Sequence, residues 1–197
     1  MSERFIFNLH FAFTGLILTT LCARFLYPMV SQEGARLWQL QCAPRSLEEL
    51  LWGKLLAGLL PLSFLSLSLS IFCSWRLQLP LAWAGLLGSL TLCVSIGLAG
   101  AALTLGALWP RFDLASPAQV AGSLGGMSSL FFGALYTLLL AFTAGGVIDC
   151  LEANTARTLE HELTAVAAFG GAITLSLAPL RWGVRWGTRR LERLVSR

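Results

Sequence analysis

The sequence predicts an all-α integral membrane protein: about five transmembrane helices, a short cytoplasmic interfacial helix and a basic amphipathic C-terminal helix. Three observations predict it. Only 12% of the 197 residues are charged and 56% are hydrophobic, where a soluble domain carries about 25% charged residues. Apolar runs exceed the roughly 20 residues needed to cross the hydrocarbon core. Short polar segments carrying proline and serine helix-start signals separate those runs. No polar connection is long enough for a soluble domain, so residues 1–197 read as one transmembrane domain.

The spans fall at about 5–30, 50–75, 80–109, 117–148 and 163–180. The first is too long for the apolar region of a cleaved signal peptide, and no small-residue cleavage site follows it. Asn8 and His10 are polar intruders near its start, placed for an interfacial or interhelical hydrogen bond. Arg24 lies near the other end, where its stem can snorkel to the headgroups.

Residues 31–49 form the main polar island. Leu37 and Leu40 beside Trp38 suit a short helix lying at the interface, and Pro44 ends it. Ser46 and Glu49 then have capping-box spacing. Glu48 and Glu49 complement the positive end of the next helix.

Span two carries Ser63, Ser66, Ser70 and Ser74 on one helical face. They read either as interhelical glue and back-bonding to carbonyls, or as a weakly polar lining of a conduit. In span three, Gly85, Ser89, Cys93, Gly97 and Ala101 recur every four residues. In span four, Gly122, Gly126 and Gly133 belong to a similar face. Such stripes let two helices approach closely, and packing of spans three and four is the expectation. Pro110 stops span three; Ser116-Pro117 is a helix start, N-cap then first-turn proline.

Beyond span five, Arg181, Arg185, Arg189, Arg193 and Arg197 stand four apart, with Trp182 and Trp186 alongside. This tail, 181–197, reads as a basic helix at the headgroups rather than a nucleic-acid binder. The excess of Lys and Arg puts the tail, the 31–54 stretch and the 109–117 loop in the cytoplasm. The N-terminus, Arg76 and the acidic 149–162 loop then lie outside.

Catalytic and metal motifs are not spelled out. No G-x-x-x-x-G-K-[ST] phosphate loop occurs, since Gly53-Lys54 lacks the upstream glycine and the following hydroxyl residue. No HExxH, paired Cys/His spacing or GxSxG elbow occurs. The five cysteines are scattered and behave as small apolar residues. The expectation is therefore a chain that is not an enzyme, with no catalytic, cofactor-binding or metal-binding residues of its own.

One resemblance fits the polar island. Arg24-Phe-Leu-Tyr-Pro28, Ser31-Gln-Glu-Gly34, Leu37-Trp38, Ala43-Pro44 and Leu50-Leu51-Trp52-Gly53-Lys54 resemble the middle of bacterial ABC-type exporter permeases. Gly106-Ala-Leu-Trp-Pro-Arg-Phe-Asp113, Ser116-Pro117 and Gly125-Gly126 resemble a second segment. The similarity covers about residues 10–140. Longer family members are about twice this length and hold these motifs in their second half.

The resemblance implies a permease subunit in the bacterial inner membrane, paired with a second permease subunit, either the same or a companion chain. Separate ABC ATPase subunits would hold ATP and Mg, and this chain would hold no cofactor. Glu33, Gly34, Arg36, Trp38 and Pro44 would be coupling contacts to the ATPase. Arg111, Phe112 and Asp113 would form a second contact, and lipids surround the whole. The competing reading is a non-transporting structural or assembly subunit, which shares the packing faces but needs no docking element. An intramembrane enzyme would need a buried nucleophile–base pair that the spans do not display.

Overall fold

The computed structural model describes residues 3–36, 47–78, 81–111, 116–152, 183–189 and a few positions between 171 and 177. Among them every regular element is helical. The α-helices are α1 (Glu3–Leu21), α2 (Leu47–Arg76), α3 (Leu81–Leu108), α4 (Pro117–Ala121) and α5 (Leu124–Glu152). Four stretches are long and apolar enough to cross a bilayer: Asn8–Glu33, Glu48–Arg76, Ala84–Leu108 and Leu124–Phe142. The fifth expected span, at 163–180, falls mostly outside the described residues.

α3 is apolar all round, the pattern of a helix surrounded by protein. It packs against α2, α5 and α1, and 61% of its apolar window is buried, against 28% for α2 and for α5. The core follows α3: Leu87, Val94, Leu98, Ala99 and Leu103 are buried against Phe11, Leu18 and Leu26 from the first span and Leu51 and Leu55 from α2. α1 fills the remaining side, against α3 and α5.

Two expected spans differ in shape from a plain helix. The first leaves α-geometry at Cys22, a feature of the candidate site below. The fourth is broken near its start. Ser116 adopts an extended conformation and its hydroxyl accepts from Gln119 N, with Pro117 in the first turn, as the Ser-Pro pair predicts. α4 then ends at Ala121. Gly122 N–H bonds to Ala118 O, the Ser123 hydroxyl donates to Val120 O, and Ser123 Oγ accepts from Gly126 N. Ser123 thus closes one helix and starts the next, which is ordinary capping chemistry. A Cβ at Gly126 would overlap the Ala121 carbonyl, so this tight turn requires glycine there.

The small-residue stripes are used unevenly. Gly97 receives the Tyr136 ring, and Gly133 receives Thr19 and Leu98. Gly85 has no atom of the described residues within 4 Å of the position a Cβ would take. Equal spacing in sequence therefore does not mean equal packing. Hydroxyls add cross-links: Thr19 with Thr137 at 3.3 Å, and Tyr136 with Ser176 at 2.6 Å. Interhelical bonds of this kind contribute about 0.6 kcal/mol each in a membrane. Close packing of the helices has to supply the rest.

Gly133→Val and Gly85→Val test that distinction. Thr19 is β-branched, 3% exposed and back-bonded to Gly15 O, so it yields little to a new side chain at 133. Gly133→Val should cost about 1–3 kcal/mol of unfolding free energy by overpacking. Gly85→Val should stay within about 0.5 kcal/mol. Unfolding titrated with a denaturing detergent in mixed micelles measures both.

Candidate functional site

The local backbone chemistry of the first span is set by Pro28. Proline has no N–H to continue an α-helical ladder. Ahead of it the helix widens into a π turn over Cys22–Leu26, in which Tyr27 N–H bonds back to Cys22 O. Beyond it the chain tightens into 3-10 turns at Tyr27–Met29 and Ser31–Arg36. Single π turns inside helices are rare and mark functional positions more often than chance.

The widened turn aims two consecutive residues at three helices. Leu26 packs on Gly58 of α2. The Tyr27 carbonyl lies on Gly106 of α3, where any Cβ would overlap the oxygen. The Tyr27 ring end lies on Gly125 of α5. Tyr27 is 0% exposed, and its hydroxyl has no hydrogen-bond partner among the described residues. Leaving a buried hydroxyl unpaired costs about 1–3 kcal/mol. Its ring therefore sits there for shape: it fills the notch between α3 and α5.

Next comes a polar clamp. Glu33 N–H bonds to Val30 O in 3-10 fashion, not to Met29 O four residues back. The Lys54 ammonium of α2 donates to Met29 O at 2.6 Å and to Glu33 Oε1 at 2.9 Å. Lys54 is 11% exposed and Glu33 33%. The ion pair is thus half-shielded, and it ties the start of α2 to the end of the first span. Ser31 Oγ accepts from Arg111 N at 3.1 Å, holding the segment after α3 against the same turn. Residues 183–189, helical, close this end: Gly183 lies on Thr104 and Gly187 on Ala107.

The residues singled out in the sequence are placed as follows. Glu33, Gly34 and Arg36 share the 3-10 turn, and Glu33 pairs with Lys54. Arg111 joins them through its backbone, which brings the two implied contact segments side by side. Trp38, Pro44, Phe112 and Asp113 lie outside the described residues, as does Ser46 of the capping box. Ser66 and Ser70 are buried. Ser70 is paired with Thr91 of α3 at 2.7 Å, and Ser66, Ser70 and Ser74 each donate to a carbonyl of their own helix. His10 pairs locally with Thr14 at 3.3 Å. No group of metal-ligating residues occurs among the described residues. Tyr27 and Lys54 were not singled out as site residues. The one signal for Tyr27 was an aromatic residue directly before a proline at the end of an apolar run. Lys54 and Glu33 are 21 positions apart, a separation that carries no local signal.

A double-mutant cycle measures the clamp. Glu33→Gln removes only the ion pair. Lys54→Met also leaves Met29 O without the donor it has, so it should destabilise more, by about 1–3 kcal/mol. The coupling energy between the two sites should be near 1 kcal/mol, within the range for residues in contact. The measurement is again detergent-titrated unfolding.

Comparison with curated proteins and with solved structures finds no match. A family model does match, over residues 2–194, and its description is "putative ATP-binding cassette". That description overturns the reading of the chain as an export permease that leaves ATP to separate ATPase subunits. It also overturns the expectation of a non-enzyme lacking nucleotide-binding motifs. That expectation rested on the missing phosphate-loop, metal-ligand and nucleophile motifs, whereas successive backbone N–H groups can cradle an anion without the phosphate-loop spelling. The Gly53-Lys54 pair itself does not fit a triphosphate. It lies inside α2, and the Lys54 ammonium is taken by a carbonyl and a carboxylate. With 2–194 matched, the chain belongs to this ATP-binding-cassette family.

Proposed function

We propose that the protein is a membrane-embedded, nucleotide-responsive component of an ATP-binding-cassette transport system, and that the 22–36 junction is the element that responds. The observation that carries this reading is the convergence at one end of the bundle: a π turn, two 3-10 turns, the Lys54 clamp and the Ser31–Arg111 contact. The span changes its hydrogen-bond register twice, from α to π and from π to 3-10, and such interruptions are where a helix has alternative pairings within reach. That is what a two-state element requires. The family's description supports ATP as the ligand to which such a system answers, and Mg as its counter-ion is part of the proposal.

The finer placement is also part of the proposal. The excess of arginine and lysine at the junction end supports a cytoplasmic side for it and for the C-terminal tail, with the bundle in a bacterial inner membrane as the proposed setting. The partners are companion chains of the same system and membrane lipids, with no nucleic acid.

Hydrogen exchange tests the reading, on protein purified from its own membranes with whatever accompanies it. Addition of Mg-ATP should change amide exchange across residues 22–36 by about threefold or more, and leave 84–108 within error. Glu33→Gln should reduce the response. Equal exchange with and without Mg-ATP across 22–36 overturns the proposal. Photolabelling with an azido-ATP in the same sample then shows whether this chain carries the nucleotide.

A further inference from the structure

The helix at residues 183–189 divides into two faces. Gly183, Val184, Gly187 and Thr188 are buried, and Arg185, Trp186 and Arg189 are exposed. The buried face is fully used. A Cβ at Gly183 would overlap the Thr104 hydroxyl of α3, and one at Gly187 would press on Ala107 of α3 and touch Leu51 of α2. Two glycines four apart let the backbone of this helix lie directly on α3, and Val184 joins the core. The Thr188 hydroxyl donates to Val184 O. A free amphipathic tail would sink its apolar face into the bilayer. Here that face is taken up inside the protein, and what remains for a partner is two guanidinium groups and an indole.

The same packing fixes the depth of those groups. Thr104 and Ala107 belong to the last turn of the apolar stretch Ala84–Leu108, so Arg185 and Arg189 stand where that stretch leaves the hydrocarbon. Two exposed indoles mark this level: Trp186, and Trp109 just past Ala107. Arg185 and Arg189 are one turn apart on one face, with Cβ atoms about 5–6 Å from each other, so both can reach one phosphate. Neither has an ion-pair partner among the described residues. The carboxylates of the neighbouring elements are placed elsewhere. Glu33 is held by Lys54, and Glu48 and Glu49 lie in the first turn of α2, at the positive end of that helix. An acidic protein segment would answer the charge but not the two indoles. The headgroup layer of an anionic bilayer answers both.

We propose that the exposed face of helix 183–189 binds the headgroup phosphate of an anionic phospholipid through Arg185 and Arg189. The proposal rests on the membrane setting given above and not on the response to nucleotide.

The experiment follows amide exchange of the full chain in phosphatidylcholine nanodiscs with and without phosphatidylglycerol. Phosphatidylglycerol should slow exchange across 183–189 by about fivefold or more, the effect of roughly one arginine at an anionic surface, and leave 84–98 within error. High salt should reduce the slowing. The double variant Arg185→Gln/Arg189→Gln should lose it, while its exchange in phosphatidylcholine alone matches wild type. If that variant does not fold, the salt dependence of the wild type decides. Equal exchange in the two lipid mixtures overturns the proposal, as does slowing that survives the double substitution or high salt. Equal slowing by Mg-ATP in phosphatidylcholine assigns the arginines to a soluble phosphate and overturns the lipid as their partner. Flotation with vesicles in alkaline carbonate separates the two readings. Its loss overturns the membrane setting and this proposal with it, whereas flotation without a phosphatidylglycerol effect overturns the lipid site alone.

Discussion

Pro28 removes a backbone donor from a helix that has no water to replace it, and the rest of the junction depends on how that loss is absorbed. The π turn before it and the 3-10 turns after it keep the backbone hydrogen-bonded in other registers. The change of register turns Leu26 and Tyr27 toward α2, α3 and α5 at once. It also frees Met29 O from the Glu33 N–H, and the Lys54 ammonium takes that carbonyl. The clamp follows from the proline: an ammonium at this depth needs acceptors, and the broken ladder supplies one.

Glycine is the complement to this arrangement. Gly58, Gly106 and Gly125 lie on three different helices, and each meets Leu26 or Tyr27. At Gly106 the neighbour is a backbone oxygen, which cannot rotate away as a side chain can. The unpaired Tyr27 hydroxyl shows the order of energies. Burying the ring in a close-fitting notch offsets the cost of about 1–3 kcal/mol for the lost hydrogen bond.

Much of the fold was legible in the sequence because lipid permits so few backbone solutions. The charge deficit and the run lengths give an all-helical protein with membrane-length spans, and Ser116-Pro117 gives a helix start. Side-chain chemistry was less legible. The Gly122–Gly126 stretch reads as a packing stripe because small residues serve turns and interfaces alike. Only the capping by Ser123 separates the two uses. Gly85 and Gly97 are members of one stripe, but Tyr136 reaches one and no described residue reaches the other, which depends on a distant residue. The functional expectation failed for a different reason. It rested on the family resemblance and on the missing phosphate-loop spelling, and the description of the matched family as a putative ATP-binding cassette overturns it.

α2 joins these threads. Its apolar window is only 28% buried, because it packs mainly on α3 and leaves its other sides open. At its N-terminal end Lys54 is bound to the first span. Near its middle Gly58 rests on Leu26. Towards its C-terminal end Ser70 is bonded to Thr91 of α3. The two polar ties lie on either side of the Gly58 contact, and the Ser70–Thr91 bond fixes α2 to α3, the most buried of the four long helices. Under the function proposed above, loosening Lys54 would free the arm of α2 nearest it while that bond held the other.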